Sequence, residues 1–137
     1  MSADMIDLDA MIVATGDAPW VWGRTDCTSW LAPHVEARLG GPVGAELRAA
    51  ATDGRAARRL IIAHGGLIGL VDALLLPRGA RRTSSPREGD VGVVAVTDGT
   101  GRIRRIAALR RDECWIVRTG DGMAFLDRAA DVAWSLP

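Results

Sequence analysis

The hydrophobic period changes once along this chain, and that change limits the folds open to it. Up to Leu76 apolar residues recur at three- and four-residue steps; from Val91 onward they fall in short β-rich runs between glycine turns. The polar segment "RGARRTSSPREG", residues 78–89, separates the two regimes and reads as a surface loop. Helices followed by an antiparallel sheet predict an α+β domain, with a helical half over 1–77, a loop over 78–89 and a sheet half over 90–137. No internal repeat or linker divides the 137 residues, so a single domain is expected.

Punctuation within each half sets the expected elements. Ser2 precedes Met5, Leu8 and Ile12, predicting a first helix that ends near Thr15 and Gly16. A second helix is expected from Asp26 or Cys27 to Leu39, kinked at Pro33 and stopped by Gly40 and Gly41. Pro42 is placed to begin a short helix through Leu47. Thr52 or Asp53 caps the next helix, which ends at "HGG" with Gly65 in left-handed geometry; "LIGLVDALLL" continues as another, closed by Pro77. The runs "DVGVVAV", "RIRRIAAL", "CWIVR" and "MAFL" predict strands, with "DGTG" and "TGDG" as turns. Asp127 is expected to cap a final helical turn reaching Trp134.

Charge and cysteine content narrow the function classes. Basic and acidic residues balance at 17 each, so no net field favours nucleic acid or an anionic membrane. Arg102, Arg104, Arg105, Arg110 and Arg111 crowd two strands, and protecting a sheet edge from aggregation explains them more simply than phosphate binding. Cys27 and Cys114 are far apart and lack metal-ligand spacing; no cofactor motif is present, and one disulfide remains open as an arrangement. No apolar run approaches the ~18 residues of a membrane span, and acidic residues precede the first apolar positions, unlike a secretory signal. Synthesis and folding in a reducing bacterial cytoplasm are therefore expected.

The stretch "VWGRTDCTSW", residues 21–30, carries the chemistry. Gly23 permits a tight turn, and a cysteine opening a helix feels the positive end of the macrodipole; Arg24 adds charge three residues away. The same cysteine is also an ordinary small core residue, and both readings stand on this motif alone. A nucleophilic thiol needs a base, normally histidine. His34 lies seven residues on, roughly 10 Å along a continuous helix, too far for that work. His64 is the weak remaining candidate, although its place before two glycines also suits a helix C-terminus. Trp20, Trp22 and Trp30 offer either an aromatic platform or core packing.

With "HGGL" and "REGDVGVVAV" downstream, and "GDGMAFLDRAADVAW" near the end, this stretch resembles the NlpC-type branch of the papain-like cysteine peptidases. It is most similar to a small family of that kind found near tail genes of phages, prophages and gene transfer agents. The resemblance covers about Pro19 to Trp134. It implies a papain-like fold in which Cys27 is the nucleophile against peptidoglycan stem peptides and Gly89–Asp90 opens the first central strand. It implies a catalytic histidine at the next strand, near Ile103, but "GRIRRIAAL" supplies none, and no histidine follows His64. The implied function is therefore a tail-associated protein with a degenerate hydrolase site, acting in structure, assembly or cell-wall binding. Its partners would be tail or tail-tip proteins, or cell-wall peptide, bound near Trp20, Trp22, Arg24 and Asp26; neither nucleic acid nor membrane is implied. Its location would be the virion tail after synthesis in the cytoplasm. The alternative is an active peptidase or amidase using Cys27 with His64 as an atypical base.

Overall fold

The computed structural model of the chain describes residues 6–137, so Ser2 and Met5 of the expected first helix lie outside the described residues. Among the described residues five α-helices precede the sheet: α1 (Leu8–Asp17), α2 (Ala32–Leu39), α3 (Ala45–Ala50), α4 (Gly54–Ala63) and α5 (Leu67–Leu75). The first is capped by Asp7, whose carboxylate accepts from the Ala10 amide. Asp53 caps α4 in the same way, and Gly65 follows it at φ 81°. The segment from Pro42 runs on before α3 begins at Ala45 behind Gly44.

Pro33 does not kink a helix. Ser29–Leu31 forms a 3-10 turn, and α2 starts after it, placing Pro33 in the first turn, where its missing N–H costs nothing.

Six strands form one antiparallel sheet: β1 (Arg81–Thr83), β2 (Val91–Thr97), β3 (Ile103–Arg111), β4 (Cys114–Thr119), β5 (Gly122–Leu126) and β6 (Val132–Ser135). Their spatial order is β1-β6-β2-β3-β4-β5. Two expectations are corrected here. The polar segment over 78–89 is not wholly loop, because Arg81–Thr83 pairs with Ser135–Ala133. The residues after Asp127 do not form a helical turn: Trp134 sits opposite both Arg82 and Val91, so pairing on two sides draws it into a strand.

The arginine-rich strand is interior in the sheet order but only partly flanked: β3 pairs with β2 over Ile103–Leu109 and with β4 over Leu109–Arg111, so Arg104 and Arg105 lie where only β2 is paired. Arg104 pairs with Asp98 at 2.8 Å, Arg105 with Asp131 at 2.9 Å, and Arg111 with Asp9 and Glu88. These carboxylates balance three of the five arginines, and Arg110 lies over the Trp115 ring.

Alternation along the strands divides the buried residues into two clusters. Val91, Val93, Ala107, Leu109 and Ile116 face the helices and share a core with Ile12, Leu31, Val35, Leu67 and Leu70. Val94, Ile106, Ala108, Trp115 and Val117 form a second cluster from the opposite face. Gly92 is required between them, because a Cβ there would lie 2.8 Å from the Trp115 ring. Among the described residues no single helix is long and apolar enough to cross a membrane.

Candidate functional site around Cys27

The loop before Cys27 is held by a buried cation. Arg118, 3% exposed on β4, donates from Nε to the Thr25 carbonyl at 3.1 Å and from its guanidinium to the Ala18 carbonyl at 2.9 Å. Its guanidinium also stands 5.6 Å from the Trp20 ring centroid. Trp20 and Trp22 meet edge to face at 5.3 Å, and Trp22 packs on Gly54 at the start of α4. Trp30 is 2% exposed within the helix-facing core, so the three tryptophans divide between loop packing and core. Thr25 closes the loop from within, donating to the Pro19 carbonyl and accepting from the Val21 amide, each at 2.7 Å.

Asp26 governs the chain's entry into the 3-10 turn. Its Oδ1 accepts from the amides of Thr28 at 3.0 Å and Ser29 at 2.9 Å, while Oδ2 accepts from Gly23 at 2.7 Å. Gly23 has φ 81°, and a Cβ there would strike the Arg48 carbonyl at 2.3 Å, so only glycine fits this turn. Asp26 is therefore a buried cap for the turn, placed where sequence reasoning expected a binding residue.

Those hydrogen bonds bear on the state of the thiol. A thiolate at a helix start is stabilised by free backbone amides, but here the amides of Thr28 and Ser29 already serve the Asp26 carboxylate. Burial pushes the Cys27 pKa up and the neighbouring Asp26 charge pushes it further; Thr28, Cys27's own backbone and Arg104 oppose the rise more weakly. The nearest polar side-chain partner of Sγ is Thr28 Oγ1 at 4.0 Å. Arg24 is exposed and does not act on the thiol. Cys27 itself is half-buried and packs against the second cluster, which includes Val94 and Ile106.

No imidazole serves this thiol. His34 is 3% exposed, and its Nε2 lies 2.7 Å from the Gly89 carbonyl, an arrangement that requires the ring to donate there. This bond ties α2 to the Gly89–Asp90 corner, a structural role for a residue that the sequence set too far along the chain to serve Cys27. Asp90 is buried as well, accepting from Arg87 at 2.8 Å and Leu136 at 3.4 Å.

His64 caps the end of α4 and uses Nδ1 to donate to the Leu60 carbonyl at 2.8 Å. Ile103, where the resemblance placed a histidine, is 69% exposed. Its neighbour Arg104 is the residue of that strand end whose charge reaches Cys27, and Asp98 holds it. The site thus joins Cys27, Asp26 and Thr28, with the Arg104 charge acting on it only weakly, and leaves both histidines in other work. Among the described residues there is no group of three or more His, Cys, Asp and Glu able to hold a metal ion, and both cysteines are free.

Two features of this arrangement had no usable sequence signal. Arg118 looks like any strand arginine until the fold brings the loop over it. Arg104 lies 77 residues from Cys27 (104 minus 27), so its weak electrostatic influence on the thiol has no local sequence signal.

No curated protein matches this chain, and neither does any solved structure. Residues 4–136 match the family model described as a domain of unknown function, DUF6950. That match spans nearly the whole sequence, and the chain belongs to the DUF6950 family.

Proposed function

We propose that this protein is an NlpC-type papain-like scaffold without a working catalytic pair, serving as a structural or assembly component of a phage-type tail. The observation that carries the reading is the state of Cys27: a half-buried thiol beside a carboxylate, with no imidazole hydrogen-bonded to it. General-base chemistry requires an acceptor within about 3 Å or one intervening water, and nucleophilic attack requires the thiolate. Burial and Asp26 both favour the neutral thiol instead.

The architecture supports the papain-like part of the proposal. Helices precede an antiparallel sheet, the cysteine segment packs on residues of β2 and β3, and Gly89–Asp90 opens β2. Where the resemblance implies a histidine the chain carries Ile103 and Arg104, and neither side chain can accept the thiol proton. The tail association is supported by the similarity of "VWGRTDCTSW", "HGGL" and "REGDVGVVAV" to the tail-gene family.

Three measurements test the two parts. Alkylation of Cys27 by iodoacetamide should accelerate only above the ordinary thiol pKa of about 8.5, and purified protein should release no soluble peptide from peptidoglycan sacculi. Peptide release by the wild type that disappears in Cys27→Ser would overturn the inactive-site reading. For the tail role, purified particles from a host carrying the gene should contain the protein and form normally with Cys27→Ser. Its absence from particles would remove that role.

A further inference from the structure

The balanced charge of the chain is divided between two surfaces of opposite sign. On α4 the exposed residues are Arg55, Arg58, Arg59, Ile62 and Ala63, one stripe at steps of three and four, while Ala57, Leu60 and Ile61 line the interior. Arg48, Arg82, Arg104, Arg105 and Arg111 each hold a carboxylate, but among the described residues none of the three α4 arginines has an ion pair. Their placement also works against the helix. Arg55 lies in the first turn, at the positive end of the macrodipole, and repels Arg58 and Arg59 one turn on. Asp53, the nearest carboxylate in sequence, is engaged with the Ala56 amide. Helix stability gives no reason for this stripe, and an anionic surface laid across it removes both penalties.

The opposite charge collects where α1 meets the β3–β4 hairpin. Asp7 caps α1, Arg111 binds Asp9 at 2.8 Å and also Glu88, and Glu88 accepts from the Asp112 amide at 3.1 Å. Four exposed carboxylates thus share this corner with one guanidinium, a net charge of −3 (one minus four) against +3 on the stripe. The surfaces also match along the helix axes. Val13, 64% exposed, follows Asp9 by four residues, and Ile62, 62% exposed, follows Arg58 by four, about 6 Å in each helix. Laid side by side in the same direction, the two helices bring carboxylates to guanidiniums and Val13 to Ile62.

We propose that the arginine stripe of α4 in one copy docks on the acidic corner and α1 of a second copy of this chain. A second copy supplies both the opposite charge and an apolar partner for Ile62, whereas a phosphate backbone supplies only the charge. The two surfaces differ, so the contact is head to tail, and a pair keeps one free stripe and one free acidic corner for further copies. The inference uses no atom of the Cys27 site and holds whether or not the scaffold is of the NlpC type.

Sedimentation velocity of the full chain tests it. At about 0.01 M salt, where charges are screened over about 30 Å, species larger than the monomer should grow with protein concentration; at about 1 M, where screening acts within about 3 Å, the chain should stay monomeric. The variant carrying Arg55→Glu, Arg58→Glu and Arg59→Glu should be monomeric at low salt and should fold, because carboxylates suit the start of a helix. Arg→Gln at the same three positions removes the charge alone and is the second variant should the glutamate chain fail to fold. Asp9→Asn with Glu88→Gln, which keeps side-chain shape, should weaken association by at least about tenfold. Mixing the arginine variant with the Asp9–Glu88 variant should restore one contact, the acidic corner of the first on α4 of the second, and assembly should stop at a 1:1 dimer.

Three results would each overturn the proposal. They are a wild type that stays monomeric at low salt, association that survives the changes on α4, and a mixture of the two variants that remains monomeric. Binding of polyglutamate by a monomeric wild type, lost in the arginine variant, would overturn it too and assign the stripe to a different, acidic protein.

Discussion

Replacing His34 with Gln should alter both the size of the folding free energy and its dependence on pH. In the native chain the imidazole is 3% exposed and donates to the Gly89 carbonyl at 2.7 Å. Gly89 is itself buried, and leaving its carbonyl unsatisfied costs about 1–3 kcal/mol. Gln can retain part of that bond, so a loss near the low end, about 1 kcal/mol, is expected at pH 8.

The pH term is the sharper test. Burial, assisted by the nearby Arg38 charge, lowers the His34 pKa, against the opposing effects of the Gly89 carbonyl and Asp90. In the unfolded chain the pKa returns to about 6.5. Below that value the unfolded chain binds a proton that the folded chain refuses. Stability therefore falls as the pH drops from about 6.5 toward the depressed folded pKa, with a limiting slope of about 1.4 kcal/mol per pH unit. Above about 6.5 this contribution is constant.

The window between about pH 5 and 6.5 isolates the effect. Asp9, Asp72 and Asp98 are held below the usual carboxylate range by hydrogen bonds from Arg111, Arg82 and Arg104, so the stability they add is lost only at lower pH. Cys27 is displaced in the other direction, above the window. Urea unfolding followed by tryptophan fluorescence, repeated across the window, should give a steep pH slope for the wild type. The slope should be flatter for His34→Gln. Equal slopes for the wild type and His34→Gln would refute the assignment of the buried proton site to His34.

Two further expectations follow from the loop that carries Cys27. Arg118→Met removes the donors holding Thr25 and Ala18 but also removes a buried charge without a carboxylate partner, so a net loss of about 2 kcal/mol in urea unfolding is expected, with faster proteolysis in residues 18–26; unchanged stability would show that the guanidinium is not what fixes the loop. Asp26→Asn removes the negative charge beside Cys27 and should move the pH of half-maximal alkylation downward, whereas Arg104→Met should move it upward by less; movement in the reverse directions would refute this electrostatic ordering.

The elements with local signals were legible in the sequence. Asp53 and Gly65 bracket α4 as their chemistry demands, and the glycine turns delimit β2 through β5. What escaped depends on distant partners. Arg81–Thr83 has no apolar alternation and becomes a strand only because β6 lies beside it; the alanine-rich approach to Trp134 becomes β6 because β1 and β2 flank it. The position of Cys27 at the mouth of a helical turn was legible, but its consequence was not. Sequence reasoning counted the free amides of a helix start without counting Asp26, one residue away, as their occupant. The absence of a downstream histidine was plain from the residues, whereas Arg104's weak influence on the thiol had no local signal.

The place of β6 has a consequence for the order of assembly. Although it is the last strand of this chain, it is inserted between β1 and β2, which are adjacent in sequence and otherwise unpaired with each other. During synthesis the helices, β2 and β3 can associate early, but β1 has no neighbour until Val132–Ser135 has been made. Until then β2 presents an open row of backbone donors and acceptors toward the vacant lane, a template for any extended segment nearby. Completion of the sheet is therefore a long-range event, slow relative to the helix contacts, and Trp134 arriving opposite Val91 closes the lane.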